Sequence, residues 1–148
     1  MSLLVTQVEA DALLAMEKHR TTTERLRLPD GGGSLIVLLE SVDRSEPFHL
    51  DISRSRINLA KGKVQNRARM TIILARIDFG GAPHRNPDDV EVPCPHIHLY
   101  REGFGDRWAF AVPSATFSDT TDHWQTLNDF MRFCNVTKPP YFDRGLFT

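Results

Sequence analysis

Cysteine is scarce in this chain, and long apolar runs are missing. Only Cys94 and Cys134 occur, and they do not form the C-x-x-C spacing of a metal or redox motif. Free thiols in a reducing cytosol are therefore expected. No stretch approaches the roughly 20 consecutive apolar residues that a membrane-spanning helix needs. The start, Met1-Ser2-Leu3-Leu4-Val5, lacks a basic segment and soon meets Glu9 and Asp11, so a secretory leader is not expected. Repeats and low-complexity tracts are absent as well. Together these absences point to a cytoplasmic protein with no membrane partner.

What is present is ordinary globular composition, 41% hydrophobic and 25% charged over 148 residues. That length suits one domain, residues 1–148, able to bury a core without disulfide or metal staples.

The formal net charge of −1 hides an asymmetry. From Ile52 through Ile77 there is no acidic residue, while Arg54, Arg56, Lys61, Lys63, Arg67, Arg69 and Arg76 all fall there, bracketed by Asp51 and Asp78. Such a run can neutralise several phosphates and give salt-sensitive contact with nucleic acid. Arginine, the majority cation, is the better fork for phosphate oxygens. Arg54, Arg56, Lys61, Lys63, Arg67 and Arg69 are thus candidate phosphate ligands. A solvated sheet edge explains the same charges without any ligand. Aromatics for base stacking are missing from the run, which argues against a dedicated single-strand binder.

Periodicity sketches the fold. Thr6 and Glu9 form a capping box before a helix expected to run to about Arg20, with Leu4, Val8, Ala12 and Ala15 as its stripe, widened by Leu13 and Met16. His19 is expected to serve the negative end of that helix. Asp30-Gly31-Gly32-Gly33 marks a turn. Leu35–Leu39, Phe48–Ser53, Met70–Phe79, the stretch from His96, and Trp108–Val112 read as strands joined by short turns. A second helix is expected from Asp119 to about Cys134, capped by Ser118 and striped by Trp124, Leu127, Met131 and Cys134. The tail, with Tyr141, Phe142, Leu146 and Phe147, is too aromatic for a simple loose end. The expected class is α+β: an antiparallel sheet of about five or six strands flanked by an N-terminal and a C-terminal helix.

The candidate chemistry lies in Pro95-His96-Ile97-His98-Leu99-Tyr100-Arg101-Glu102. As a strand it would gather His96, His98, Tyr100 and Glu102 on one face and anchor Ile97 and Leu99 in the core. His84, in a Pro-rich loop just upstream, could fold back over that face. Three readings compete. A metal could be held by His84, His96, His98 and Glu102, because His-x-His-x-x-x-Glu matches part of the first cupin motif. The cupin glycines and second motif are absent. Alternatively, His84, His96 and His98 could act without a metal as acid and base in RNA cleavage, with Arg101 or the basic run stabilising the transition state. Thirdly, the histidines could simply pin the loop.

Four motifs, Leu50-Asp51-Ile52-Ser53-Arg54, Gln65-Asn66-Arg67-Ala68-Arg69, Pro83-His84-Arg85-Asn86-Pro87-Asp88 and Pro95 through Gly103, resemble a family of small prokaryotic proteins of unknown function. The resemblance covers roughly Phe48 to Cys134. It implies that Asp51, Arg54, Arg67, Arg69, His84, Asn86, His96, His98 and Arg101 belong to one recurring pattern. It also suggests a setting on mobile elements, beside small partners as in toxin–antitoxin pairs. The leading expectation is an RNA-acting protein with metal-independent ribonuclease chemistry and no cofactor. RNA and a small antitoxin-like protein are its expected partners. A non-enzymatic module binding nucleic acid or protein through the basic run is the alternative.

Overall fold

In the computed structural model, which describes residues 4–145 and 147, the capping box forms as expected. The Thr6 hydroxyl accepts from the Glu9 N–H at 3.1 Å, and the Glu9 carboxylate accepts from the Thr6 N–H at 3.3 Å. Helix α1 (Gln7–Ala15) is shorter than expected. The reason is Lys18. Its ammonium turns back to donate to the carbonyls of Leu14, Met16 and Cys134 at 2.7–2.8 Å. Lys18–Arg20 then forms strand β1 instead of a last helical turn. His19 accordingly pairs with Glu17 at 2.9 Å rather than serving a helix end. The buried stripe of α1 is Ala10 and Leu13, with Leu4 and Val8 exposed, so the expected stripe is displaced. Of the start of the chain, residues 1–3 lie outside the described residues, as do Leu146 and Thr148 of the tail.

The strands that follow are β2 (Arg25–Arg27), β3 (Ser34–Ser41), β4 (Pro47–Arg54), β5 (Gly62–Ala68) and β6 (Ile72–Phe79). After them come the short pair β7 (His84–Arg85) and β8 (Glu91–Val92), then β9 (His96–Leu99) and β10 (Ala109–Ala111). Helix α2 (His123–Phe133), β11 (Val136–Lys138) and β12 (Tyr141–Asp143) complete the described residues. Asp122 caps α2, its carboxylate accepting from the Gln125 N–H. The stripe Leu127, Met131 and Cys134 is buried as expected.

The class is α+β, with the helices N-terminal and C-terminal as expected. The main sheet has eight strands in the order β10-β9-β6-β5-β4-β3-β1-β11. It is larger than expected and mixed, because β1 pairs with β11 in parallel while its other pairs are antiparallel. The tail strand β12 pairs with β2 in a separate ribbon. Among the described residues no helix is long and apolar enough to cross a membrane.

Register divides the sheet into two faces, because directly paired residues point the same way. Ile52, Val64, Ile77 and Ile97 align across β4, β5, β6 and β9, each at most 2% exposed. Each such side chain contributes roughly 1.5–3 kcal/mol by leaving water. Both helices pack on this face and share one hydrophobic cluster with it. Gly62 is required there: a Cβ would lie 2.7 Å from the Phe79 ring. The opposite face carries two polar rows across the same four strands. One row reads Ser53, Lys63, Asp78 and His96; the next reads Asp51, Gln65, Arg76 and His98.

Candidate functional site

The site is built where those two polar rows meet the strand β9. Arg76 and Asp78 are two residues apart on β6, separated by core residue Ile77, so both reach the polar face. Asp78 stands opposite His96, and Arg76 stands opposite His98. The Asp78 carboxylate oxygen Oδ2 lies 3.4 Å from His96 Nε2 and 3.5 Å from His98 Nε2. The three ligand-type atoms lie within 4.8 Å of one another. His96 and His98 are 2% and 1% exposed, so this is a built arrangement and not a surface coincidence.

His84 joins from outside the sheet. Strands β7 and β8 form a tight hairpin pairing His84 with Val92. Asn86 clamps that hairpin to the edge strand, donating from Nδ2 to the Ala109 carbonyl at 3.0 Å and accepting from the Ala109 N–H at 2.8 Å. The His84 ring centroid thereby comes 4.6 Å from that of His98 and 5.8 Å from that of His96. The expected convergence of three imidazoles therefore occurs.

Partners fix the tautomers. A carbonyl only accepts, so Nδ1 of His98 donates to the Asp106 carbonyl at 2.8 Å, and Nδ1 of His96 donates to that of Pro93 at 3.3 Å. A guanidinium only donates, and Arg76 Nη2 lies 3.0 Å from His98 Nε2, so Nε2 is the accepting nitrogen. By the same logic His84 donates from Nε2 to the Arg107 carbonyl at 2.8 Å. Nε2 of both rings thus stands beside the same oxygen of the Asp78 carboxylate. Burial holds the His96 imidazolium below its ordinary range, and this outweighs the attraction of Asp78. Burial pushes the Asp78 carboxyl up, but His98 and Arg76 prevail and bring it down to about 2, so it is a carboxylate at neutral pH.

Arg76 is tied on three sides. Its Nε donates to Asp78 Oδ1 at 3.0 Å, and its Nη1 to Asp106 Oδ2 at 2.9 Å, besides the His98 contact. Asp106, at the end of the Gly103–Asp106 turn, therefore holds His98 through its carbonyl and Arg76 through its carboxylate.

The structure departs from the sequence expectation in several places. Strand β9 ends at Leu99, and Tyr100 turns into the core, its hydroxyl donating to the Val5 carbonyl at 2.6 Å. Glu102 accepts from the Gln7 N–H at 2.7 Å, at the start of α1, and is not on the histidine face. The metal set with Glu102 is therefore replaced by one with Asp78, while His84 stays outside the 4.8 Å grouping. The Arg101 guanidinium lies over the Trp108 ring, 4.5 Å from its centroid. Arg76 is the cation at the histidines. His123 sits on the core face, its Nε2 donating to the Leu59 carbonyl and its ring edge-on to Phe79.

The basic run does not form one surface. Arg67 binds Asp51 through Nε and Nη2 at 2.5 and 2.9 Å, and Arg69 reaches Glu46 at 3.2 Å and Glu9 at 3.5 Å. Arg56 is exposed, its Cβ close to Gly32. Arg54 is half-buried, its guanidinium 5.7 Å from the Phe147 ring centroid. Together with Lys61 and Lys63, Arg54 lines a cleft of about 430 Å³ that also includes Asp78. The cleft and the histidine cluster share that carboxylate.

Residues 5–136 match the model of a family of unknown function, DUF6978. The chain belongs to that family. The DUF6978 match takes in Asp78, His84, His96 and His98 together with the strands that carry them, and it brings no activity with it. No curated protein matches the chain, and no solved structure does either.

Proposed function

We propose that this DUF6978 chain holds one divalent metal ion through Asp78, His96 and His98 and uses it to activate water in a hydrolytic reaction. The observation that supports this is that two imidazole nitrogens and one carboxylate oxygen, on buried or half-buried side chains, stand within 4.8 Å of one another. Groups gathered this closely need a cation among them; Arg76 Nη2 holds that place, 3.0 Å from His98 Nε2 and 3.4 Å from Asp78 Oδ2, and a metal ion would take it over. Two histidines and a carboxylate leave coordination positions open for water and substrate, and imidazole with carboxylate suits first-row ions such as zinc, manganese or iron(II). The carbonyls of Pro93 and Asp106 would act as outer partners that fix both rings. A metal held there would lower the pKa of a bound water, and His84 would take the proton from that water as its oxygen attacks the electrophile. The bond to the leaving group breaks, and His84 returns a proton to that group.

The test is metal content. Untagged protein should carry about one ion per chain by elemental analysis, and metal-stripped protein should take up one ion in a titration with zinc, manganese or iron(II). Asp78→Asn should weaken that uptake at least about tenfold. Uptake well below one ion per chain with all three metals removes the reading.

A second reading, metal-free cleavage of RNA, is favoured by the three imidazoles standing 4.6–5.8 Å apart. There His84, His96 and His98 exchange protons while Arg76 offsets the charge of the transition state. RNA cleavage that survives a chelator and disappears in the His96→Ala/His98→Ala double variant would favour it over the metal reading. Growth arrest on expression, relieved by a small protein partner, would support a toxin-type setting. The free thiols of Cys94 and Cys134 suit a cytoplasmic location in either case.

A further inference from the structure

A cleft of about 430 Å³ opens beside the histidine cluster. Its lining includes Lys61, Lys63, Ser53, Ser55 and Gly81, and it reaches the cluster through Asp78. Lys63 is directly opposite Asp78, which is directly opposite His96, so these side chains lie in one row. With neighbouring strands about 4.8 Å apart, roughly 10 Å separates the backbone under Lys63 from that under His96. One ligand can span that distance.

We propose that this cleft binds the phosphate group of a phosphate ester and presents its ester bond to the Asp78–His96–His98 centre. The proposal rests on the hydrolytic reading above and names its substrate class. Charge supplies the main argument. Among the described residues, Lys61 and Lys63 have no ion-pair partner, whereas Arg67 and Arg69 are committed to Asp51, Glu46 and Glu9. Asp78 is the one carboxylate in the lining, and Arg76 already offsets it. The cleft is therefore positive, and a dianionic group is the ligand that such a surface concentrates. Neutral donors come from Ser53 and Ser55, which suit phosphate oxygens that the lysines leave unpaired.

Size and shape limit the ligand. A volume of about 430 Å³ is enough for one nucleotide-sized ester, within the ordinary range of small-ligand sites. The lining aromatic, Phe79, is 1% exposed and packs into the core, so it offers no platform for a base. Recognition rests on the phosphate. In the reaction, water supplies the attacking oxygen and gives a proton to His84 as a new P–O bond forms. The ester P–O bond breaks, and the departing oxygen takes a proton from His84. The products are the alcohol and inorganic phosphate, or a phosphomonoester when the substrate is a diester.

Calorimetric titrations test this with three probes: inorganic phosphate, a 5′-mononucleotide and a short single-stranded RNA. Wild-type protein should bind at least one of them. The Lys61→Gln/Lys63→Gln double variant should lose at least about tenfold in affinity, because charge-assisted hydrogen bonds are removed. Arg44→Gln, which removes one charge from the turn between β3 and β4, should bind as wild type does. Binding of the small probes marks a small ester as the ligand, and binding of RNA alone marks a polynucleotide; both support the proposal. Equal affinity in wild type and double variant overturns it, as does failure of all three probes at millimolar concentration. Metal titration of the same samples separates the two proposals. Phosphate binding without metal uptake would sink only the metal centre, and metal uptake without phosphate binding would sink only the cleft.

Discussion

Arg76 and His98 face one another across the β6–β9 pair, with Nη2 3.0 Å from Nε2. The guanidinium thus supplies a cation to the point at which the two imidazoles and Asp78 converge. A metal ion would compete with Nη2 for His98, while Nε of Arg76 could stay on Asp78. Replacing Arg76 with Met should destabilise metal-free protein by about 1–3 kcal/mol, because a largely buried carboxylate loses its partner. It should also enlarge the rise in melting temperature on adding metal, since the ion then relieves a repulsion that Arg76 no longer offsets. Thermal melts of both proteins, with and without metal, measure this. An equal metal-induced rise in the two would sink the claim that Arg76 stands in for the ion.

Asn86 connects the His84 hairpin to β10 through two buried hydrogen bonds to Ala109. Its replacement by Ala should cost about 1–3 kcal/mol by leaving backbone groups unsatisfied. It should also lower turnover of a phosphate ester without changing metal stoichiometry, because it releases His84 and not the metal ligands. His84→Ala should keep the metal and reduce turnover by about 10²–10⁴-fold, the usual contribution of a positioned acid or base. Chemical denaturation, metal analysis and steady-state kinetics on the two variants check this. Loss of metal in His84→Ala would mean that His84 is a ligand.

The histidine strand was legible because strand side chains alternate, and alternation holds from His96 to Leu99. It fails at Tyr100, where the chain leaves the sheet and meets α1 near Val5. No local pattern marks that exit, since it depends on a contact 95 residues away. Asp78 was readable only as the end of the basic run. The signal was Arg76-Ile77-Asp78, polar on either side of an apolar residue, which puts both charges on one face. That this face is shared with His96 and His98 depends on the β6–β9 register across an intervening loop. The helices and most central strands follow from periodicity. Strand β1 does not, because Lys18–Arg20 continues a helical pattern and is claimed by β3 and β11 from far along the chain.

The basic run illustrates the same gap between counting charges and knowing their partners. Arg67 is held by Asp51, and both side chains are about one-fifth exposed. Burial raises the Asp51 carboxyl, but the hydrogen bonds from Arg67 and Gln65 outweigh it and lower the pKa. A carboxylate with a lowered folded-state pKa stabilises the fold fully above its unfolded value, near 4. That contribution is lost as the pH falls through the lower, folded value. Asp51→Asn should therefore remove part of the acid-side loss of stability, giving a flatter profile below about pH 4. Arg67→Gln should destabilise by about 1–3 kcal/mol near neutral pH and leave phosphate affinity unchanged. Denaturation profiles from pH 2 to 7, with a phosphate titration, test both. A large fall in phosphate affinity would return Arg67 to the binding surface.

Lys18 is the buried charge on which the N-terminal boundary turns. Its side chain is fully enclosed, donates to three carbonyls and lies 4.6 Å from the Phe48 ring centroid. Lys18→Met would keep the apolar stem but strand the carbonyls of Leu14, Met16 and Cys134. Urea denaturation at pH 7 should show a loss of about 2–4 kcal/mol. The pH dependence has a definite sign. Burial lowers the Lys18 pKa from 10.5 to about 8, so between those values the unfolded chain binds more protons, and stability from this group rises with pH. Burial raises the neighbouring Cys134 thiol from 9.0 to about 12, so above pH 9 the unfolded chain sheds a proton that the folded one keeps, and stability falls. The two oppose each other above pH 9, which leaves the gain concentrated between about pH 8 and 9. Wild type should gain stability over that interval relative to Lys18→Met. A flat difference between the two proteins from pH 7.5 to 9 would show that the three carbonyls keep the ammonium protonated through this range.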